Sequence, residues 1–391
     1  MKHNWEYKRL GDICKILNGY AFKSSNYISN GGLRIIRIAN VQEGFVCDNA
    51  PQFYPLDTIP SLSKYILYEG DLLMSLTGNV GRVGILPKEF LPAALNQRVA
   101  CLRFDKGLSK KFIFHFLNNK FFIQDAINFS TGVAQLNLST EWLNNYLVPV
   151  PPMEVQERIV AELDKINETI EDCRELLRNL DALAQSLFYD TFGNPITNPK
   201  GWEVKKLSDE CLDVVDGDHS APPKTDKGVP FITISNIDKT RNSIDFSDTF
   251  FVPQSYYDGL KDNRKARNGD VLYTVTGSYG VTVLIENLPK FCFQRHIGLI
   301  RPKATLNSVF LSYWGRSASI KAYADTVATG IAQKTVSLKS LRDFPIILPP
   351  LSLQEQFAAR IEQIEAQKKA VEQTIAELQT LLDSRMDYWF N

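Results

Sequence analysis

Several things are missing from this 391-residue sequence, and each absence removes a class of function. No run approaches 18 consecutive apolar residues, so no membrane span is expected. The opening Met1-Lys2-His3-Asn4-Trp5-Glu6 has no apolar signal-peptide core. The six cysteines, Cys14, Cys47, Cys101, Cys173, Cys211 and Cys292, are scattered with no C-x-x-C pair, which argues against zinc and suits reduced thiols in a cytosol. The four histidines, His3, His115, His219 and His296, show no metal spacing. There is no G-x-x-x-x-G-K-[ST] nucleotide loop and no G-x-G-x-x-G dinucleotide loop. No N/D-P-P-Y/F motif, cofactor loop or nuclease-type acidic pair with a following lysine stands out, so no catalytic constellation emerges.

Net charge is also missing, with 44 basic and 44 acidic residues, but the balance is uneven along the chain. Residues 1–153 carry 16 basic against 11 acidic residues and residues 191–350 carry 20 against 16, whereas residues 154–190 carry 4 against 10 and residues 351–391 carry 4 against 7. Two mildly basic blocks therefore alternate with two acidic ones. Such blocks suit a phosphate-facing surface, and ordinary charge scatter explains them equally well.

What the sequence has is an internal repeat. Trp5-Glu6-Tyr7-Lys8-Arg9-Leu10 recurs as Trp202-Glu203-Val204-Lys205-Lys206-Leu207. Ile36-Arg37-Ile38-Ala39-Asn40-Val41 recurs as Ile232-Thr233-Ile234-Ser235-Asn236-Ile237. Gly70-Asp71-Leu72-Leu73 through Thr77-Gly78-x-x-Gly81 recurs as Gly269-Asp270-Val271-Leu272 through Thr276-Gly277-x-x-Gly280. Gln97-Arg98 returns as Gln294-Arg295, Thr131-Gly132-Val133-Ala134-Gln135 as Thr329-Gly330-Ile331-Ala332-Gln333, and Pro151-Pro152-x-x-x-Gln156-Glu157 as Pro349-Pro350-x-x-x-Gln354-Glu355. Six collinear matches at offsets of 196 to 199 describe one domain plus one helix, used twice. Between the anchors the halves diverge, so one scaffold carries two different surfaces.

Within each half, short apolar runs predict strands at 35–38, 71–76 and 99–103, and at 231–234, 270–275 and 297–300. Helices are expected at Lys111–Asn128 and Ser308–Ala324. The double prolines then punctuate entry to segments of another kind. Ile159, Leu163, Ile166, Ile170, Cys173, Leu177 and Leu180 follow 4-3 spacing, as do Phe357, Ile361, Ile364, Lys368, Val371, Ile375, Leu378 and Leu382, with Lys368 the polar exception. Each helix is expected to span about 35 residues, roughly 50 Å. A one-striped helix of that length needs a partner, and the cheapest is the other copy in the same chain. Because the Asn194–Lys200 connector is short, an antiparallel pair with the globular domains at opposite ends of a rod is expected. The fold class is α+β: two β-rich mixed α/β domains in tandem repeat, separated by two long helices in an antiparallel intramolecular coiled coil. The segments are 1–150, 151–190, 191–348 and 349–391.

The Thr77–Gly81 and Thr276–Gly280 loops are glycine-rich turns after a strand, for which a structural turn is the simplest reading. Their recurrence beside Gln97-Arg98 and Gln294-Arg295-His296 suggests more. Gln and Asn pair with adenine and Arg with guanine in the major groove. Thr77, Thr276 and Ser278 belong to the same loops as possible DNA contacts. A competing role for the shared Gln97 and Gln294 is a buried hydrogen bond in the scaffold. Readers of different sequences should differ at their reading positions, which puts forward Arg34, Arg37, Asn79, Arg82 and Gln135 in the first half. In the second half the candidates are His219, Lys224, Tyr279, His296, Gln333 and Lys334. The basic run Lys261–Arg267 suits phosphate contacts, or a plain solvated surface.

The two W-E-x-K-x-L starts, the two G-D-x-L…T-G-x-x-G segments and the two P-P-x-x-x-Q-E entries to heptad helices, in the order domain–helix–domain–helix, resemble the specificity subunit of type I restriction–modification systems over the whole length. The resemblance implies that each half is a target-recognition domain reading one half of an asymmetric bipartite site in double-stranded DNA. It implies that the helices set the spacing and dock two methylation subunits, which supply S-adenosylmethionine binding, and that restriction subunits with ATP-driven cleavage join them. On this reading the chain is cytoplasmic and non-catalytic and binds no cofactor itself. A coiled-coil adaptor that reads no DNA, or an enzyme whose motif is hidden, are the alternatives.

Overall fold

The computed structural model describes residues 5–104, 108–132, 135–219, 222–330 and 333–391. Val133, Ala134, Ile331 and Ala332 of the recurring loop lie outside the described residues. The chain divides into two compact units, one made of Met1–Cys173 with Thr374–Asn391 and the other of Arg174–Gln373. The division cuts both long helices, so each unit holds part of each.

In the first unit, strands Cys14–Asn18, Val99–Phe104, Leu72–Ser75 and Val83–Ile85 form an antiparallel sheet in that order. A second sheet runs Phe53–Tyr54, Leu33–Ile36, Ala93–Leu95 and Ile66–Leu67, with a parallel pair at its centre. In the second unit Cys211–Asp216, Ile297–Pro302, Val271–Thr274 and Thr282–Leu284 repeat the first sheet. Phe250–Val252, Val229–Ile232 and Cys292–Phe293 repeat the core of the second. The reason Leu72-Leu73-Met74 reads as a continuous apolar run, rather than alternating, is that both faces are covered. Leu72 and Met74 pack with helical residues Phe112, Phe116 and Phe122, while Leu73 packs with Ile36, Leu95 and Cys101 from the other sheet. Val271 and Tyr273 against Leu272 divide in the same way.

Three expectations are adjusted. The 35–38 and 231–234 strands end at Ile36 and Ile232, because Asn40 and Asn236 close a tight turn by accepting from the backbone N–H of Arg37 at 2.8 Å and Thr233 at 2.9 Å. Each expected single helix is two: Lys110–Leu117 with Lys120–Asn128, and Ser308–Arg316 with Ala318–Val327. Asn119 and Ser317 cap the second member of each pair, and a side chain that competes for backbone N–H groups stops one helix as it starts the next. The long helices, Met153–Phe192 and Leu351–Phe390, have 40 residues each, so each is about 60 Å long.

The helix seam is antiparallel within each unit. In the first, Glu162 near the start of one helix accepts from Arg385 and from Trp389 Nε1, at 3.0 Å for the latter, near the end of the other. The Arg385 guanidinium holds the Glu162 carboxyl below its usual range. In the second, Phe188 and Phe192 meet Phe357 edge to face at 5.8 and 5.2 Å. Lys368, out of pattern on the seam, pairs with Asp181 of the other helix at 2.7 Å, and this interhelical ion pair explains it. Ile159, Leu163, Ile166, Ile170, Leu180, Phe357, Ile361 and Ile364 are buried, while Leu177, Val371, Ile375, Leu378 and Leu382 are half-buried. Ile159 and Leu163 also belong to the core of the first globular part, and Phe357 and Ile361 to that of the second, so the start of each helix packs on the domain it follows.

The W-E-x-K-x-L starts seat the far ends of these helices. Trp202 donates from Nε1 to the Phe192 carbonyl at 2.9 Å, and Trp5 stacks on Trp389 at 6.5 Å. Trp389→Ala is therefore expected to destabilise by about 3 kcal/mol, the range for emptying a buried aromatic site. Hydrogen exchange should locate the effect, with faster amides in residues 5–150 and unchanged ones in residues 203–348.

Candidate nucleic-acid interface

In each unit three loops are stitched together by backbone bonds in the same pattern. The residue leaving the central strand, Leu76, donates to the Arg98 carbonyl at 3.0 Å and accepts from Leu138 N at 2.8 Å. Gly78 N donates to Leu136 O at 2.9 Å. In the second unit Val275 donates to His296 O at 2.9 Å and accepts from Val336 N at 2.8 Å, and Gly277 donates to Lys334 O at 3.0 Å. The third loop is closed on itself by Thr131–Asn137 and Thr329–Thr335. Gly78 and Gly277 have φ of +70° and +68°, left-handed backbone that a side chain would strain. Beneath the turn a hydroxyl holds its shape. Ser75 Oγ donates to Asn79 O at 2.5 Å and accepts from Arg82 N at 3.0 Å; Thr274 Oγ1 donates to Ser278 O at 2.7 Å and accepts from Val281 N at 2.9 Å. This hydroxyl pair was legible as a repeat position but carried no known motif.

The candidate side chains fall into three groups. Gln97, Arg98, Gln135, Arg295, Gln333 and Lys334 are exposed, and Gln294 and His296 half-buried. None of these eight side chains makes a hydrogen bond or ion pair among the described residues, so the scaffold role considered for Gln97 and Gln294 has no hydrogen bond behind it. A second group is engaged within its own domain. Arg34 pairs with Asp48 and lies over the rings of Phe53 and Phe90 at 5.1 and 5.0 Å. Arg37 donates to Ala50 O at 2.6 Å. Arg82 reaches Gln42 Oε1 at 2.9 Å and faces the Asn79 carboxamide, which accepts at 3.0 Å when its oxygen is turned inward. His219 meets Asp216 at 2.7 Å, and Lys224 caps the Phe250 ring at 4.7 Å.

The third group supports the loop from inside. Tyr279 is buried, donates to Asp325 at 2.7 Å and carries Lys321 over its ring at 3.5 Å; its apolar ring fills the core beneath the turn, where a DNA base has no access. Thr276 is buried, Ser278 is half-buried, and Thr77 Oγ1 is enclosed without a partner among the described residues. The basic run is partly spent as well, since Arg264 bonds Asp216 at 3.3 Å and Lys265 the Asp258 carbonyl at 3.1 Å.

A family model for the type I restriction modification DNA specificity domain matches residues 2–180 and again 199–380. The chain belongs to this family. It carries two specificity domains, the two halves of the repeat. It is 32% identical to the EcoAI specificity subunit of Escherichia coli over 183 residues, 46% of this chain and 31% of that one, so this match spans about a third of the relative's length. It is 24% identical to the E. coli EcoBI specificity subunit, covering 95% of this chain and 81% of the other. A chain solved in work on complex assembly and conformational transition of the type I system shares its fold with a TM-score of 0.59 at 21% identity, covering 99% and 97% of the two chains. The type I S subunit of M. genitalium does so with a TM-score of 0.54 at 14% identity, covering 98% and 96%.

The remaining recurring motifs are scaffold in both specificity domains. Asp71 of the first Gly-Asp pair takes a forked bond from Arg103 at 3.0 and 2.6 Å, and Asp270 of the second takes one from Arg301 at 2.9 and 2.8 Å. These carboxylates hold both guanidinium groups above their ordinary range. Gln156 and Gln354 hook the long helices to the domains they follow, accepting from Ser109 N at 2.9 Å and Asn307 N at 2.8 Å and donating to the Pro151 and Pro349 carbonyls at 2.8 Å each. Cys211 and Cys292 are buried, and desolvation pushes their thiols up to about 12. Among the described residues no group of three His, Cys, Asp or Glu could hold a metal ion, and no helix is long and apolar enough to cross a membrane.

The division between scaffold and surface is measurable. Arg301→Ala leaves the buried Asp270 without its charge partner and should cost about 3 kcal/mol in denaturant unfolding. Arg295→Ala, an exposed residue on the neighbouring turn, should stay within about 0.5 kcal/mol of the parent.

Proposed function

We propose that this chain is the DNA-reading subunit of a type I restriction–modification complex, each specificity domain reading one half of an asymmetric two-part site in double-stranded DNA. The observation that carries the reading is the pair of equivalent loop clusters in which the backbone bonds put Gln97 and Arg98 of the first where Arg295 and His296 stand in the second. The first offers Gln97, Arg98 and Gln135; the second offers Gln294, Arg295, His296, Gln333 and Lys334. Carboxamides matched to adenine and guanidinium groups matched to guanine are the chemistry of major-groove reading. The positive balance of both domain segments favours the phosphates around such contacts.

The long helices set the number of base pairs between the halves. Their acidic exposed faces suit protein rather than DNA, and two methylation subunits dock there, with restriction subunits joining that core in the cytoplasm. The chain itself catalyses nothing and holds no cofactor; S-adenosylmethionine and ATP belong to the partner subunits.

The test is a genome-wide map of adenine methylation in a host carrying this chain with its methylation subunit, against a host lacking only this chain. An asymmetric two-part motif should vanish with the chain; unchanged methylation would sink the proposal. In the same assay, replacing Gln97 and Arg98 by Ala should relax or abolish one half of the motif, and replacing Gln294 and Arg295 the other. Inserting four or seven residues into both long helices, about one or two turns, should widen the gap while the bases read at either side stay the same.

A further inference from the structure

We propose that Tyr20 is a specificity-determining residue of the first domain, its ring meeting the methyl group of a thymine in the major groove beside the bases contacted by Gln97 and Arg98. The proposal rests on the DNA-reading function above.

The argument begins with a chain crossing that the recurring motifs do not include. Strand Cys14–Asn18 runs into Gly19, which passes so close over Asn96 that a Cβ would lie 2.1 Å from its carbonyl oxygen. Gly217, after strand Cys211–Asp216, passes over Phe293 and Gln294 in the same way, at 2.0 Å from the Phe293 oxygen. Only glycine fits either crossing. The next residue is then locked to the Gln-Arg turn from both sides. Tyr20 N donates to Leu95 O at 2.9 Å and Gln97 N donates to Tyr20 O at 2.9 Å; Asp218 N donates to Phe293 O at 3.0 Å and Arg295 N to Asp218 O at 3.0 Å. Tyr20 and Asp218 therefore occupy one place in the scaffold, beside Gln97 in the first domain and Arg295 in the second, and are chemically opposite.

The Tyr20 ring is 39% exposed, and its hydroxyl bonds nothing among the described residues. It is also held in place. Phe22 meets it edge-on at 5.1 Å and Tyr65 tilts against it at 5.3 Å. Phe22 is backed in turn by Tyr54 at 4.7 Å, whose hydroxyl donates to Lys23 O at 2.7 Å. A ring flanked on two sides cannot slide between stacked bases as a wedge, but it presents a fixed apolar surface at little ordering cost. The thymine methyl is the apolar group that base pairs display in the major groove. Asp218, an anion that accepts from the Tyr256 hydroxyl, offers no such surface, so the second domain has no equivalent methyl contact.

The experiment uses the complex of the full chain with its methylation subunits and measures affinity for its recognised site by titration. Each thymine is replaced in turn by deoxyuridine, which removes only the methyl group. One replacement, in the half read by the first domain, should weaken binding about four- to tenfold. Tyr20→Ala should weaken binding to the parent DNA by the same factor and have no effect on that deoxyuridine DNA, whereas Tyr20→Phe should match the parent. Tyr20→Leu, which keeps an apolar side chain, provides the comparison if the alanine variant folds poorly, and should lose less than Tyr20→Ala. If Tyr20→Ala and Tyr20→Leu bind the parent DNA unchanged, or if the protein and DNA losses multiply, Tyr20 does not touch a methyl and the proposal falls while DNA reading by Gln97 and Arg98 stands. A parent complex with no sequence preference overturns the broader reading, and this one with it.

Discussion

A helix with one apolar stripe cannot stand alone in water, and most of this architecture follows from how that stripe is covered. The start of each long helix packs on the domain it follows, through Ile159 and Leu163 in one case and Phe357 and Ile361 in the other. The end of each is seated by a tryptophan at the start of a domain, Trp202 for Phe192 and Trp5 for Trp389. The ends of both helices are thereby committed to globular cores. Between the ends the coverage is uneven, with Ile166, Ile170 and Leu180 of the first helix buried, Val371, Ile375 and Leu378 of the second only half-buried, and Lys368 held by charge rather than apolar contact. The aromatic anchors fix register at the ends, where each domain is attached.

Within each domain, two sets of interactions are kept apart. The forked Asp71–Arg103 and Asp270–Arg301 pairs, the Gln156 and Gln354 hooks and the Ser75 and Thr274 hydroxyls lie in or under the sheet and at the helix entry. The eight free candidate side chains stand on turns above them. Because the turns are held by backbone bonds, changing their side chains leaves the stitching in place. A charged pair with a buried carboxylate adds little net stability but penalises any other arrangement strongly. That is the property a scaffold needs if its surface is to vary while its frame does not.

The sequence made the repeat, the fold class and the helix pairing legible because these rest on spacing, and spacing survives divergence between the halves. It also singled out loops that the structure stitches together by backbone bonds. It did not show which side chains on them face solvent. Divergence between the halves selected Tyr279 as readily as Lys334, yet the Tyr279 ring is turned inward onto Asp325 and Lys321 while Lys334 faces solvent. Arg34 and Arg37 stand out as reading positions in one dimension, but Arg34 is occupied by Asp48, 14 residues away, and Arg37 by Ala50 O, 13 away. The direction a side chain takes from a turn depends on contacts far along the chain, and local composition does not carry that information. The helix breaks at Asn119 and Ser317 were written as capping residues and were outweighed by the apolar periodicity around them.

The seating of Trp389 on Trp5 and of Phe390 against Phe112 and Phe116 also has a bearing on biosynthesis. The second unit is a continuous stretch, residues 174–373, and can close as soon as it leaves the ribosome. The first unit has to wait for residues 374–391, which follow it by the whole length of the second. At ~5–20 residues per second that interval is about 10–40 s. During it the aromatic bed formed by Trp5, Phe112 and Phe116 is made but uncovered, an apolar surface in a nascent chain. The half translated first is thus the half completed last, and the nascent protein passes through a stage in which one recognition domain is finished and the other is still open.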